Sequence, residues 1–335
     1  MTQLLGLILL SFFISSIFMV PFIDFLFFLK RKFEGKIIKK ENSQTPIHDK
    51  LMEGDENTPS GGGILLILIL FVLSIFYLLL NPNENRISII ILLSTLLSFG
   101  CLGLFDDIRW IMIRRKGKLL GLGRKKLLII QLFIASIIST MLYFMGNINN
   151  LYIPILGNQT LEFYYIPLAA IIIVAFSNAY NISDGLDGLA AGLLLICLFA
   201  FLALASSNLN LSLASFIGLW IGSILAFLYF NIYPARIFLG DAGSFGFGAT
   251  LAVVGLLTGK ILAVAIIGGM FVLIVSSSLI QILSKKFLKK KIFPVAPIHM
   301  YFKYIGWEES KIVTRFWLVG GLFAIFGLWI ALLSD

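Results

Sequence analysis

Four polar side chains interrupt an apolar stretch in the middle of the chain. The segment reads NAYNISDGLDGLAAG (178–192) and has long apolar runs on both sides. Asp184 and Asp187 are three residues apart, a spacing that places two side chains on one face of a helix. Asn178 and Asn181 extend that face at the same spacing. A carboxylate at membrane depth costs about 2.5–3.5 kcal/mol on insertion scales, so the pattern predicts a functional site.

Two more acidic motifs lie next to apolar segments. Asp106 and Asp107 are adjacent in GLFDDIRW, so on a helix they would point about 100° apart and should have different roles. Asp241 stands in FLGDAGS, where the next apolar segment begins. Gly243, Ser244 and the amides of a helix N-terminus would suit a phosphate there.

Carboxylates from three distant parts of the chain, together with an anion-binding turn, predict a site for Mg²⁺ and a diphosphate. Oxygen ligands are the ones that Mg²⁺ prefers. The chain has only two histidines and two cysteines, which argues against zinc.

The elements that must hold these residues are membrane helices. The 335 residues are 59% hydrophobic and 13% charged, with a mean hydropathy of +1.00, which indicates a polytopic membrane protein. We predict an all-α fold in a single domain, 1–335. Ten apolar segments are long enough to span a bilayer: 2–29, 61–80, 87–105, 127–145, 163–181, 188–206, 211–230, 244–258, 261–283 and 316–333.

Charge predicts the orientation of these spans. Of the 26 Lys and Arg residues, 24 fall in the odd-numbered loops, which places those loops in the cytoplasm and both termini outside. The predicted cytoplasmic loops are about 30–60, 106–126, 182–187, 231–243 and 284–315. All five acidic residues fall at this side, so the active site is expected on the cytoplasmic face. The same bias explains the net charge of +9 without a nucleic-acid partner.

A transporter could also use acids inside a membrane. Its acids should lie near mid-bilayer, often in two similar halves of the chain. Here they lie at one edge and no repeated halves are visible, so the residues favour an enzyme that acts on a diphosphate, with a transporter as the non-enzyme alternative.

Three motifs carry a family resemblance: NAYNISDGLDGLA, NIYPARIFLGDAGSFGFG and APIHMYFKYIGWEESKIVTRFW. They resemble the phospho-N-acetylmuramoyl-pentapeptide transferases (MraY), a branch of the polyprenyl-phosphate hexosamine-1-phosphate transferases, or glycosyltransferase 4 superfamily. The resemblance runs from about Thr58 to Trp317. It implies a multi-pass enzyme of the bacterial inner membrane with ten helices and a cytoplasmic active site.

The implied reaction moves phospho-N-acetylmuramoyl-pentapeptide from its uridine diphosphate carrier to undecaprenyl phosphate, giving lipid I and UMP with Mg²⁺ as cofactor. The alternative is a sibling that transfers N-acetylglucosamine-1-phosphate to the same lipid. The partners would be the UDP-sugar donor, undecaprenyl phosphate and the bilayer, with no nucleic acid. The sequence leaves monomer and homodimer open.

The resemblance also implies roles for individual residues. Asp106 would activate the lipid phosphate with Asp107 beside it, Asp184 and His299 would be catalytic, and Asp241 with Asp184 would bind Mg²⁺. Phe238 would stack on the uracil. The substrate-binding residues would be Phe238 together with Asn178, Asn181, Gly185, Leu186, Asp187, Asn231, Arg236, Ser60 and Lys126. The residues themselves leave two of these open: Asn231 could bind substrate or cap a helix, and Arg236 could contact a phosphate or anchor the chain at the interface.

One departure from the family pattern bears on the donor. The family usually has three consecutive histidines, and here the positions read His299, Met300 and Tyr301. Because methionine and tyrosine are not protonated near neutral pH, we expect fewer cationic partners for phosphate and weaker donor binding.

Overall fold

The computed structural model describes residues 2–34, 58–82, 84–114, 123–153 and 157–333. Ten helices within these ranges are long and apolar enough to cross a membrane, which confirms the predicted all-α polytopic fold. The α-helices of the described ranges are α1 (Thr2–Glu34), α2 (Gly62–Leu80), α3 (Arg86–Arg114), α4 (Arg124–Phe144), α5 (Tyr165–Ser183), α6 (Leu189–Ser207), α7 (Leu211–Asn231), α8 (Gly240–Leu257), α9 (Ile261–Ile267), α10 (Gly269–Leu283), α11 (Ile298–Tyr304) and α12 (Glu309–Leu332). The short helices α9 and α11 are not among the ten candidate spans.

Helices α7 and α8 form the centre of the bundle and are buried along most of their length. Helix α8 packs against α2, α3 and α5, and α7 packs against α1 and α6. Helices α1, α4, α10 and α12 leave most of their residues exposed or only partly buried. Exposed apolar side chains suit a lipid environment, where a helix satisfies its own backbone hydrogen bonds.

Glycines bring the helices around α8 into backbone contact. A Cβ added at Gly103 of α3 would lie 2.1 Å from the carbonyl oxygen of Asp241, at the start of α8. A Cβ added at Gly63 of α2 would lie 2.3 Å from the Cα of Gly243. Small residues allow this approach between membrane helices, and here they draw three chain segments together at one end of the bundle.

Two predicted spans have different limits in the structure. The eighth begins at Gly240 instead of residue 244, so Asp241 lies in the first turn of α8. An acidic residue is favourable there because of the helix dipole. The predicted ninth span, 261–283, is divided at Gly268 into α9 and α10, and a π-helical turn, Ser284–Leu288, follows α10. A Cβ at Gly268 would lie 2.4 Å from the Phe176 ring, so this helix changes course where α5 packs against it.

Other predicted loops contain helix. Helix α3 continues to Arg114, so Asp106 and Asp107 are helical although we predicted a loop over 106–126. The predicted loop 284–315 contains α11 and the start of α12. Much of the predicted loop 30–60, and residues 115–122 of the next, lie outside the described residues. An antiparallel hairpin of β1 (Asn150–Ile153) and β2 (Gly157–Thr160) joins α4 to α5, which the sequence did not predict.

Candidate functional site

The acid pair of α3 meets the first turn of α8. The Ala242 amide donates to Asp107 Oδ2 at 3.2 Å, so this carboxylate binds the N-terminus of α8. From α5, Asn181 Nδ2 donates to Asp241 Oδ1 and to Ser244 Oγ, both at 2.8 Å. Three predicted site residues from three helices therefore come together as expected. The Ser244 hydroxyl, which we expected to serve a phosphate, accepts from Asn181 instead.

Asp184 and Asp187 lie in a turn within the predicted loop 182–187, so the helical face that their spacing would give them does not form. Helix α5 ends at Ser183, and residues 184–188 form a turn that ends in Gly188, whose φ of 77° is left-handed. Because a side chain is strained at such a φ, glycine permits the turn and the helix cannot continue. Asp187 consequently turns away from Asp184, and its Oδ2 accepts from the Ala235 amide at 2.8 Å.

Asp184 lies among other carboxylates. Burial, followed by the negative charges of Asp241 and Asp187, raises the pKa of Asp184 to about 7. Each carboxylate opposes ionisation of its neighbours, because like charges in a poorly solvated site repel. The fold therefore concentrates negative charge at the end of the bundle where α3, α5 and α8 meet.

The donor chemistry of this site fits a hard cation. Among the described residues, none of Asp107, Asp184 and Asp241 forms a salt bridge that would offset its charge. Within the same ranges, no three Asp, Glu, His or Cys side chains converge closely enough to enclose a metal ion alone. Mg²⁺ commonly keeps several waters and takes only one or two protein carboxylates plus substrate phosphate, so the arrangement suits it.

A second chain segment closes the site from the side of α2. Ser60 and Phe238 form a parallel bridge, and the Phe238 amide donates to the Pro59 carbonyl at 2.9 Å. A Cβ on Gly240 would lie 2.9 Å from Ser60 Oγ and 3.2 Å from Asp107 Oδ2. The Ser60 hydroxyl thus lies beside the acid cluster. The Phe238 side chain is half-buried, with its backbone fixed by this pairing.

His299 lies against the central turn although it is 115 residues away in sequence. It is buried on the short helix α11, and a Cβ on Gly185 would lie 2.9 Å from its Nε2 atom. The imidazole therefore contacts the segment that carries Asp184. Gly185 leaves the room for that contact.

Glu309 lies in the third motif of the family resemblance, but the sequence assigned it no role in this site. Its Oε1 accepts from the Asp187 amide at 2.8 Å, and its Oε2 pairs with Lys303 Nζ at 2.7 Å. The sequence did contain a signal, since an acid follows two residues after Trp307 in the same segment as His299. What it could not give was the partner, 122 residues earlier in the chain.

Comparison with known proteins identifies the family. The model described as glycosyl transferase family 4 matches residues 88–259. The chain belongs to glycosyl transferase family 4. The matched segment includes all five aspartates of the acidic motifs, whereas His299 and Glu309 lie beyond it. The acid cluster therefore belongs to the part of the chain that the family model covers.

Curated relatives of this family match nearly the whole chain. A protein of Halalkalibacterium halodurans is 35% identical over 98% of this chain and 97% of its own length. One of a Geobacillus species is 36% identical over 96% of each chain, and one of Bacillus subtilis is 33% identical over 95% of each. All three are named phospho-N-acetylmuramoyl-pentapeptide-transferase.

Two residues of the family-matched segment that we expected to bind substrate hold the chain together. Asn231, which is buried, accepts from the Gly188 amide at 3.2 Å and donates to the Ile237 carbonyl at 2.9 Å. Asn178 donates to Gln131 Oε1 at 2.7 Å and to the Val174 carbonyl, which ties α5 to α4. Their side-chain amides serve the fold in this structure.

The remaining expected substrate-binding residues differ in exposure. Leu186 is buried, and its carbonyl accepts from the Leu189 amide at the start of α6. Arg236 is exposed and its guanidinium lies 5.8 Å from the centre of the Phe230 ring. Lys126 is exposed in the first turn of α4. Both cations remain available to an anionic ligand.

The histidine departure has a different meaning in the structure. Both residues belong to α11, where Met300 is fully buried and Tyr301 is partly exposed. An apolar, flexible side chain suits the buried position. Met300 belongs to the hydrophobic core, so its position gives no support to the expectation that it replaces a cationic phosphate partner.

Proposed function

We propose that this chain transfers phospho-N-acetylmuramoyl-pentapeptide from its UDP carrier to undecaprenyl phosphate, releasing UMP. The observation that carries the proposal is the similarity, over 95% or more of the chain, to three transferases of that name. The acid cluster supports it, because transfer between a phosphate and a diphosphate needs neutralised charge and aligned reactants more than covalent help.

Mg²⁺ is part of the proposal, with Asp241 and Asp184 as its protein ligands. When bound, it would neutralise charge on the diphosphate and favour departure of UMP. Asn181 orients Asp241 by holding Oδ1, which leaves Oδ2 for a ligand. The pKa of Asp184, raised to about 7, agrees with this role, because a bound cation would favour the ionised carboxylate.

The acid pair of α3 then has divided roles in the proposal. An oxygen of the lipid phosphate attacks the sugar-linked phosphorus of the donor, and the bond from that phosphorus to the bridging oxygen breaks as UMP leaves. Asp107 positions the first turn of α8 through its contact with Ala242. Asp106, on the next face of α3, is the group that acts on the lipid phosphate, either by accepting its proton or by orienting it.

We place the site on the cytoplasmic face of the bacterial inner membrane, with both termini outside. The supporting observation is the concentration of lysine and arginine in the odd loops. In a variant lacking Cys101 and Cys197, a cysteine at Lys290 should be labelled only from the cytoplasm. A cysteine at Leu209, which is 84% exposed, should be labelled from outside. The reverse pattern would refute the placement.

The donor is assigned from the segment that includes α11. It lies against the Asp184 turn through His299 and Glu309, so a donor group beyond the sugar would meet it. A donor ending at N-acetylglucosamine offers no peptide for this segment to hold. The purified protein should release UMP from the pentapeptide donor when undecaprenyl phosphate is added. Release from UDP-N-acetylglucosamine alone would keep the reaction class and overturn the donor, and no release from either would favour the transporter.

A further inference from the structure

The turn Asp184–Gly188 joins α5 to α6 and contains two glycines. Its first residue is fixed by the Asp184 amide, which donates to the Tyr180 carbonyl at 3.0 Å. Its far end has one backbone hydrogen bond of its own, from the Leu189 amide to the Leu186 carbonyl, and its N-cap residue, Gly188, has no side chain that could cap α6. The position of Asp184 therefore depends on what secures the end of the turn near Asp187.

Two side chains from distant segments supply that support. The Asp187 amide donates to Glu309 Oε1, and the Gly188 amide donates to Asn231 Oδ1. A carboxylate at this place is favourable because it faces the positive end of the α6 dipole. Lys303 in turn fixes the second oxygen of Glu309.

The Glu309 contact also joins two parts of the site. The segment 298–309 touches the turn at two points, since His299 lies against Gly185 and Glu309 binds Asp187. The side chain of Glu309 is 9% exposed and that of Lys303 is 20% exposed. A pair so little exposed is weakly screened by salt, so its geometry is more persistent than that of a surface pair.

We infer that Glu309, oriented by Lys303, is a positioning residue for the reaction: it fixes the turn that carries Asp184 and couples that turn to the donor-binding segment. The inference deepens the proposed function and rests on it for its kinetic consequence. The structural part, that Glu309 restrains the turn, stands independently.

The kinetic test uses purified full-length protein with the pentapeptide donor and undecaprenyl phosphate. Glu309→Ala should lower kcat about 10- to 100-fold, as a misplacement near 1 Å does, with the donor KM changed by less than about threefold. Glu309→Gln keeps an oxygen for the Asp187 amide, so its kcat should stay within about fivefold of wild type, since a neutral hydrogen bond is weaker than a charged one.

Two control variants separate position from charge and folding. Glu308→Ala changes the same charge one residue earlier on an exposed side chain and should leave kcat unaltered. Lys303→Met removes the orienting partner but leaves the Asp187 contact, so its loss should be smaller than that of Glu309→Ala. All rates are divided by the number of UMP-binding sites measured by calorimetry, so that misfolded protein does not count as a catalytic defect.

Hydrogen–deuterium exchange tests the restraint without reference to activity. The Asp187 and Gly188 amides should exchange about tenfold or more faster in Glu309→Ala, because a charge-assisted hydrogen bond is lost, with α7 and α8 unchanged. Unchanged exchange at the turn would overturn the inference, as would a Glu309→Gln variant as defective as Glu309→Ala. If Glu309→Ala exchanges faster at the turn but the wild-type protein releases no UMP, the restraint is supported and the proposed function is refuted.

Discussion

Replacing Gly103 by alanine should disable the site without touching any polar residue. The added Cβ would lie 2.1 Å from the carbonyl oxygen of Asp241, 2.4 Å from its carbonyl carbon and 2.6 Å from the Ala242 nitrogen. Ordinary contact begins near 3.4 Å, so α3 and α8 must separate by about 1.3 Å. The obstacle is backbone, and no side-chain rotation can relieve it.

That separation acts directly on the acid cluster. It would lengthen the 3.2 Å hydrogen bond from Ala242 to Asp107 and move Asp241 away from the α3 acid pair. A misplacement of about 1 Å can reduce a rate about 100-fold, so we expect kcat for UMP release to fall by about that factor. The loss should appear in kcat more than in the donor KM, because both substrates still find their binding surfaces.

Gly100→Ala is the matched control, one helical turn earlier on α3. Its Cβ would meet the end of the Ile67 side chain at 2.8 Å, and that flexible atom can move aside. Its kcat should remain within about threefold of wild type. The reasoning is refuted if Gly103→Ala retains wild-type kcat, or if both variants lose activity equally while still binding UMP.

Three further outcomes follow from the site. Asp241→Asn should abolish turnover in protein that still folds, and excess EDTA should do the same to the wild type; activity in either case would remove the proposed metal. Asp106→Asn should lower kcat, whereas Asp107→Asn should also lower thermal stability, because a neutral amide oxygen accepts from the Ala242 amide more weakly than a carboxylate does; identical behaviour of the two variants would contradict the division of roles. Met300→His should cost about 1–3 kcal/mol of stability, since it buries a polar ring. Tyr301→His should be tolerated, and it should lower the donor KM if a cation at this position helps to bind the donor. Equal thermal shifts for the two variants would argue against the assigned burial.

Amino-acid composition and span length were enough to predict the ten helices, because a bilayer demands about 20 apolar residues for each crossing. The gathering of Asp107, Asp184 and Asp241 at one end of the bundle followed from counting spans, since residues that border odd loops must share a side. Helix packing through α8 then brings them into one cluster, as predicted.

Local backbone geometry was harder to predict. Spacing alone favoured a helix through Asp184 and Asp187, but the left-handed Gly188 makes a turn and sends the two carboxylates in different directions. The division of the ninth span at Gly268 depends on the Phe176 ring from another helix. Tertiary contacts of this kind leave no periodic signal in the sequence.

The contacts of individual polar residues were also hard to predict. Asn231 and Asn178 look like ligand-binding amides in a membrane protein, yet their partners are backbone amides and carbonyls or, for Asn178, also the Gln131 side chain. Glu309 shows the opposite case, since the sequence assigned it no role in the site and its contact with Asp187 places it there. Long-range hydrogen bonds decide both cases.

The most direct test of the central claim follows the sugar-linked phosphorus of the donor. UDP-N-acetylmuramoyl-pentapeptide labelled at that atom is incubated with undecaprenyl phosphate, Mg²⁺ and the purified protein, with Asp241→Asn as the inactive control. Transfer of the phosphorylated sugar predicts that the label enters the lipid product and that the released UMP is unlabelled. Labelled UDP among the products would mean that the sugar alone is transferred, and would contradict the account.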